Sequence, residues 1–316
     1  MIVAQHGLRD YPARVPNSPS GALLLRALRR LPVHALSRAA GGVASLRLPA
    51  ALRAPACRAF ARAVGADLGE VRDPLDSFTS LQDFFTRALR EGARAVDRDP
   101  TALVAPCDGA WGESGRIADG TLLQVKGSPY SLAALLGDAA IARSFEGGWF
   151  ATFYLSPRDY HRFHAPCDGF VTRAVHLPGW LWPVNAIGLA GVPGLFAANE
   201  RICAFASLPE RLQQVSRSEP KASEVHHDSL ALVAVGATMV GKVHVDFDAE
   251  LTTNTRERTS RWRHYDPPQR LTKGVQWGRF EFGSTLVLAA AADALVLAPR
   301  PPGSPLRLGT RIGTLL

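Results

Sequence analysis

The sequence predicts an α+β protein, with a β-rich body preceded by an N-terminal helical region. Three observations carry that expectation. Through the first ninety or so residues, apolar residues recur at helical spacing. After Gly92, short apolar runs alternate with Gly, Pro and Asp-Gly, the texture of strands and turns. The pentapeptide Ala-Pro-Cys-Asp-Gly also occurs twice, at 105–109 and 165–169, each time before an apolar strand start. Asp-Gly between apolar runs is a strong hairpin signal. The body is therefore expected to hold two related β-hairpin units in a barrel-sandwich-like arrangement. Two copies are too few for a solenoid.

Taken in order, residues 1–20 read as irregular, and 21–66 as short helical pieces interrupted at Pro32, Gly41-Gly42, Pro49 and Pro55. Leu24, Leu25, Leu28 and Leu31 fall at helical spacing opposite Arg26, Arg29 and Arg30. Residues 1–66 hold ten Arg, no Lys and one acid, Asp10, which is +9 of a total net charge of +8. Leucines between arginines make two readings of this arm: a helix lying in an anionic membrane surface, or a solvated helix packed on the body by its leucines. Nucleic acid is not the expected partner. A secretory signal is not expected either, because no apolar run of about 7–15 residues follows the first charges. Residues 1–76 form the basic amphipathic, membrane-associating region in this reading, and 77–316 the β-rich domain.

Residues 77–90 predict an amphipathic helix, capped by Ser77 or Thr79, with Phe78, Leu81, Phe84, Phe85 and Leu89 mainly on one face. The segment 131–137 predicts another, with the preceding GSPYS as its capping loop. Residues 177–199 are uncharged and long enough to span a bilayer, but three Pro and four Gly argue against a lipid-exposed helix. That leaves an apolar loop, either exposed, lining a pocket, or buried outright. Four cysteines (Cys57, Cys107, Cys167, Cys203) form no CxxC pair, so a reducing compartment is expected.

Candidate chemistry concentrates in LSPRDYHRFHAPCDG, residues 155–169, which carries His161 and His164. An H-x-x-H pair suits two metal ligands on one helical turn, but no HExxH and no clear third ligand accompany it; His226-His227-Asp228 is the remaining option. Lys126 is a Schiff-base candidate if buried, with a structural role as its alternative. Near the C-terminus, WGRFEFGSTLVL interrupts a good strand with Gly283-Ser284-Thr285. Glycine inside a strand marks a bulge or a close backbone approach.

Seven ordered blocks decide among these readings. They are DFFTRALREGARAVD, APCDG, QVKGSPYSLAALLG, FYLSPRDYHRFHAPCDG, NERICAF, VGATMVGKV and KGVQWGRFEFGST. Together they resemble the phosphatidylserine decarboxylase family from about residue 77 to the C-terminus. Phe282 departs from the Leu usual in that family.

The resemblance implies a chain that cuts its own Gly283–Ser284 bond, giving a β chain of 1–283 and an α chain of 284–316. Ser284 becomes a covalent pyruvoyl group, the cofactor. Ser284 Oγ attacks the Gly283 carbonyl, and elimination of the resulting ester releases the upstream chain. A serine hydroxyl needs a base to take its proton, and a carboxylate to orient that base. The resemblance puts the base at His164, the carboxylate at Asp108, and a later proton donor at His161. Asp168, in the second pentapeptide, is then a turn residue. No metal is implied.

The expected reaction converts phosphatidylserine to phosphatidylethanolamine and CO2. The expected partners are an anionic phospholipid membrane and the chain's own two products; a homodimer is among the expected assemblies. The expected location is peripheral, on the cytoplasmic face of a bacterial-type inner membrane. Two alternatives stay open at this point: a pyruvoyl enzyme for a soluble amino acid, and a non-enzymatic lipid-binding β protein.

Overall fold

The computed structural model describes residues 30, 33–124, 128–209, 228–238, 242–255, 257–281 and 285–316. The leucine-arginine segment 24–29, Lys126, the His226-His227 pair and the Gly283–Ser284 bond lie outside them.

The N-terminal region begins with α1 (Val33–Ala44) and α2 (Ala50–Val64). Pro49 separates them, but Gly41-Gly42 and Pro55 do not interrupt. Pro55 lies just past the first turn of α2, so it forfeits only the bond toward Ala51. Gly65, at a left-handed φ of 77°, closes α2 by donating to the Ala61 carbonyl. Cys57 and Ala61 bury against Phe78 and Phe84 in a small core of their own.

The helix expected over 77–90 is cut to α3 (Leu81–Phe85). Its cap is Ser80, whose hydroxyl accepts from the Asp83 amide at 3.1 Å. The helix stops because the following chain is used as extended backbone. The Arg72 amide donates to the Ala88 carbonyl at 3.0 Å, and the Arg90 amide to the Glu70 carbonyl at 2.9 Å. Phe84 and Phe85 are fully buried, as their spacing required.

The body is β-rich and mostly antiparallel. β1 is Ala102–Val104, β2 Gly109–Arg116, β3 Thr121–Gln124, β4 Ser128–Ser131, β5 Trp149–Tyr154, β6 Arg162–His164, β7 Gly169–Leu177, β8 Arg201–Ser207 and β9 Leu230–Val235. β10 is Val243–Val245, β11 Asp248–Thr252, β12 Arg261–Leu271, β13 Gln276–Phe280, β14 Thr285–Ala290, β15 Leu295–Leu297, β16 Pro305–Leu306 and β17 Arg311–Leu315. One large sheet runs β12-β7-β8-β9-β14-β5-β2-β16. Two smaller ones run β11-β10-β13-β6 and β1-β17-β15, and β3-β4 form a ribbon.

The middle of the large sheet is buried on both faces, which explains its unbroken apolar strands. Along β14, Leu286, Leu288 and Ala290 face a core shared with the two smaller sheets; Val287 and Ala289 face a second core. That second core is roofed by α4 (Leu132–Leu136), α5 (Ala139–Arg143) and the 177–199 segment. Ser131 and Gly137 cap α4 as the sequence suggested. The 177–199 segment folds into α6 (Ala186–Gly191) and α7 (Leu195–Ala198), burying Leu181, Trp182, Leu195 and Phe196. It is packed on the body, with Trp180 left 45% exposed.

The Asp-Gly turns are not hairpins. β1 pairs with β17 while β2 pairs with β5 and β16; β6 pairs with β13 while β7 pairs with β8 and β12. Each turn carries the chain from a small sheet into the large one. Gly109 makes this crossing at φ 140°, where an added Cβ would sit 2.1 Å from the Tyr154 carbonyl oxygen. A contact that close admits only glycine.

The sequence motif near the C-terminus makes the same kind of crossing. β13 ends at Phe280 in the four-stranded sheet, and β14 begins at Thr285 in the large one. A Cβ on Gly278, within β13, would lie 2.2 Å from the Phe163 ring and 2.4 Å from the His244 carbonyl. Gly278→Ala should therefore destabilise the fold by about 1–3 kcal/mol through overpacking. Thermal melting should show a clear drop, and an unchanged melting temperature would contradict this packing.

Candidate active site

The two pentapeptides are laced to each other. The Val104 amide donates to the Pro166 carbonyl at 2.8 Å, and the His164 amide to the Pro106 carbonyl at 2.7 Å. Each then makes the same set of bonds to a later turn. Ala105 donates to Thr310 and accepts from Gly309, at 2.8 and 3.0 Å. Ala165 donates to Val275 and accepts from Gly274, both at 2.9 Å. Gly309 and Gly274 both hold left-handed φ values, 84° and 76°. The Leu308 amide donates to Asp108 Oδ1 and the Lys273 amide to Asp168 Oδ1, each at 2.9 Å.

This correspondence separates the two aspartates. Asp168 is exposed and holds its turn. Asp108 is buried, and Arg94 grips both its oxygens: Nε donates to Oδ1 and Oδ2 at 2.9 Å, and Nη2 donates to Oδ2. Arg94 also donates Nη1 to Glu70 Oε1 at 2.9 Å and Nη2 to Glu70 Oε2 at 2.7 Å. The Arg94 bond holds the Glu70 carboxyl below its ordinary range.

His164 occupies the position that Val104 holds in the first copy. Its Nδ1 lies 2.8 Å from the Gly274 carbonyl, which only accepts, so Nδ1 carries the proton. Nε2 is then the free lone pair, and the Tyr160 hydroxyl at 3.2 Å donates to it. Burial lowers the ring's pKa, while the Gly274 bond and the nearby Asp108 charge oppose that shift. His164 is thus a neutral base at physiological pH. The orienting acceptor at Nδ1 is a backbone carbonyl, where a carboxylate was expected; Asp108 acts on this ring through its charge, with no hydrogen bond between them.

His161 is fully buried. Its Nδ1 donates to the Asp159 carbonyl at 2.8 Å, and its ring lies against Phe85 with centroids 4.1 Å apart. Nε2 is buried with no hydrogen-bond partner among the described residues. Burial pushes its pKa down to about 3, and the Arg87 cation adds to that. His161 is therefore neutral in the uncleaved chain.

The strand crossing lies beside these groups. The Phe280 amide donates to the His161 carbonyl at 2.9 Å. Glu281 is held three ways: its amide donates to the Lys242 carbonyl at 2.8 Å, Gln82 Nε2 donates to its carbonyl at 2.7 Å, and His244 Nε2 meets its carboxylate at 2.7 Å. On the far side, Thr285 pairs with Tyr154, and Tyr154 pairs in turn with Ala110. Two strand spacings, about 10 Å, thus separate Thr285 from Ala110, two residues beyond Asp108. The Asp108 charge reaches the His164 ring, and His161 is bonded through its carbonyl to Phe280 at the end of β13; residues 281 and 285 are the described ends of the crossing. Gly283 and Ser284 lie between those ends and outside the described residues.

A profile of the phosphatidylserine decarboxylase family matches residues 81–314. The chain belongs to this family. A phosphatidylserine decarboxylase proenzyme from Anaeromyxobacter sp. (strain K) is 42% identical over 293 residues, covering 92% of this chain and 98% of that protein. A proenzyme of the same description from Azotobacter vinelandii is 39% identical over 302 residues, covering 92% and 97%. One from Acidovorax ebreus is 41% identical over 283 residues, covering 88% and 93%.

Sequence reasoning assigned no role to Arg94, Gln82 or Gly274, and named Tyr160 without one. Arg94 and Gln82 lie within or next to the first matching block, some distance along the chain from the residues they touch. Only three-dimensional contact gives them a function. Among the described residues no group of three or more His, Cys, Asp or Glu suits a metal ion, and Asp228 pairs with Arg173.

The tautomers are directly checkable. In nitrogen-labelled protein, His161 should keep Nδ1–H and an unprotonated Nε2 down to about pH 5, because its pKa of about 3 lies well below. Protonation of His161 near pH 6.5, the ordinary imidazole range, would contradict its burial.

Proposed function

We propose that this chain is a phosphatidylserine decarboxylase proenzyme that cuts itself at Gly283–Ser284 and uses the resulting pyruvoyl group to release CO2 from phosphatidylserine. Family membership supports the reaction and favours it over a non-enzymatic lipid binder. The observation that carries the self-cleavage reading is His164. It is a neutral, half-buried imidazole whose Nδ1 proton is fixed on Gly274, leaving Nε2 basic on β6, the neighbour of the strand that leads into the crossing.

In maturation, His164 Nε2 takes the Ser284 hydroxyl proton as Oγ attacks the Gly283 carbonyl. Asp108 stabilises the imidazolium that forms by its negative charge. Tyr160, its phenol pKa raised to about 12 by burial, stays protonated, and its hydroxyl must turn off the single Nε2 lone pair before that lone pair takes the Ser284 proton. The anchors at Glu281 and Thr285 fix the two ends of the segment that reacts.

The residues around a Ser284-derived pyruvoyl group fit it. Thr285 Oγ1, on the next residue, and His161 Nε2 are both buried polar atoms with no hydrogen-bond partner among the described residues. A pyruvoyl group supplies an electron sink for the pair left behind when CO2 departs. Thr285 would hold that group at the end of a fully buried central strand. His161 would act as proton donor. It starts neutral, so it must first take up a proton, which a nearby substrate anion favours.

The substrate would be reached from a membrane surface. Leu36, Val43, Leu46 and Leu52 on or beside α1 and α2 are 49%, 69%, 63% and 55% exposed, and Trp180 joins them at 45%. α1 is tied to the Trp180 segment by His34 Nε2, 3.0 Å from the Gly179 carbonyl. Arginines Arg38, Arg47, Arg53 and Arg58 lie on the same helical region. Exposed apolar residues among cations suit an anionic bilayer surface, peripheral and on the cytoplasmic face of a bacterial-type inner membrane. No helix among the described residues is long and apolar enough to cross a membrane.

Liposomes of defined lipid composition test this directly. Wild-type protein should release CO2 from phosphatidylserine, and Ser284→Ala should do neither cleavage nor decarboxylation. Asp108→Asn and His164→Ala should slow self-cleavage by roughly 10²–10⁴-fold, while Asp168→Asn should process nearly normally. His161→Ala should cleave and then decarboxylate poorly. Normal Asp108→Asn with blocked Asp168→Asn would transfer the carboxylate's role to the other copy. Cleavage should be flat with pH above about 6.5 and fall below it, because the His164 base is lost only under its lowered pKa. Deleting residues 1–29 should weaken binding to anionic vesicles, as should added salt. Binding indifferent to both would mean the arginines do not meet the bilayer.

A further inference from the structure

The two aspartates of the repeated pentapeptide make the same backbone bond, to Leu308 in one case and Lys273 in the other. What differs is Arg94. It lies against Asp108 alone, and it is itself fixed by Glu70. Its side chain is 11% exposed and that of Asp108 10%, so the pair is largely shielded from solvent. A second arginine, Arg307, donates to Glu70 Oε1 at 3.0 Å from the solvent side.

We infer that Arg94 is the positioning residue of the maturation site: its guanidinium, braced by Glu70, fixes the Asp108 carboxylate where its charge reaches His164. The inference rests on the reading of Asp108 and His164 given above. Arg94 acts only through Asp108.

The ion pairs explain why an arginine is needed. Glu70 and Asp108 share the Arg94 guanidinium, and Glu70 also meets Arg307, so the four groups carry no net charge. What an imidazolium at His164 would feel is therefore set by where the Asp108 carboxylate is held, and the Asp108 charge does reach that ring. Without Arg94, Asp108 would keep the Leu308 amide on Oδ1 and, among the described residues, nothing on Oδ2. Arg87 donates to the carbonyls of Arg158 and Asp159 and makes no ion pair with Asp108, so it does not replace Arg94.

The fork geometry also matters. Arg94 meets Asp108 through Nε and Nη2 and Glu70 through Nη1 and Nη2. Lysine supplies the charge without the two-sided fork. Arg94→Lys should therefore cleave at an intermediate rate.

The test follows self-cleavage of the full chain over time on denaturing gels. Arg94→Gln should slow cleavage by about tenfold or more, because Asp108 is no longer held in place. In an Asp108→Asn background the same change should slow it no further, since Arg94 acts only through Asp108. A merely structural role predicts losses that multiply in the double variant. That result, or cleavage of Arg94→Gln at the wild-type rate, overturns the inference. If Arg94→Gln does not fold, Arg94→Lys carries the same double-variant comparison, and its cleavage at the wild-type rate overturns it as well. Asp108→Asn run in parallel separates the two levels. Its cleavage at the wild-type rate would sink the reading of Asp108 itself, whereas a slow Asp108→Asn beside a normal Arg94→Gln would sink only the role given to Arg94.

Discussion

The reciprocal bonds between residues 104–106 and 164–166 are the constraint on which the rest of the site depends. They are main-chain bonds between two buried segments, so they are neither optional nor adjustable; an unpaired buried amide or carbonyl costs about as much as a lost hydrogen bond. Because of them, the residue two past the first segment and the first residue of the second become neighbours across 56 positions of sequence. Those residues are Asp108 and His164. The small sheets exist to hold this join, β1 through β17 and β6 through β13, and the large sheet receives the chain from both.

Burial then sets the chemistry. Burial, complete for His161 and partial for His164, makes both histidines neutral, and the backbone fixes their tautomers, through Gly274 for His164 and Asp159 for His161. The Asp108 carboxylate is held nearby on Arg94, which it shares with Glu70. A neutral base beside a held anion is what proton removal from a serine hydroxyl requires, since the cation that forms must be stabilised where it forms. Phe280 and Thr285 belong to different sheets, so the chain must cross from one to the other between them. After cleavage the downstream piece would keep β14 between β9 and β5 and β17 between β1 and β15, so the two products would remain one folded body.

Much of this was legible in the sequence, for identifiable reasons. The long apolar strands announced themselves because both faces of β8, β9 and β14 are buried. Ser131 and Gly137 marked the ends of α4 because capping chemistry is local. The family resemblance put the carboxylate at Asp108 over its twin Asp168, and the dense block at 155–169 drew attention to His161 and His164. What failed was whatever depended on distant partners. The helix over 77–90 shrank to five residues because 88–90 pair with 70–72, a demand invisible in the helix's own periodicity. The Asp-Gly turns looked like hairpins, but the strands on either side found other partners. Arg94 carried no signal beyond being one arginine among many, since its meaning lies in two carboxylates 24 and 14 residues away.

The central claim is that one particular peptide bond, Gly283–Ser284, is broken by the chain that contains it. Intact-mass spectrometry of purified, active protein tests it most directly. The account predicts two chains, 1–283 and 284–316, the shorter one lacking a free amine and carrying the mass of a pyruvoyl end in place of serine. A single chain of 316 residues in a preparation that decarboxylates phosphatidylserine, or a cut at any other bond, would contradict it.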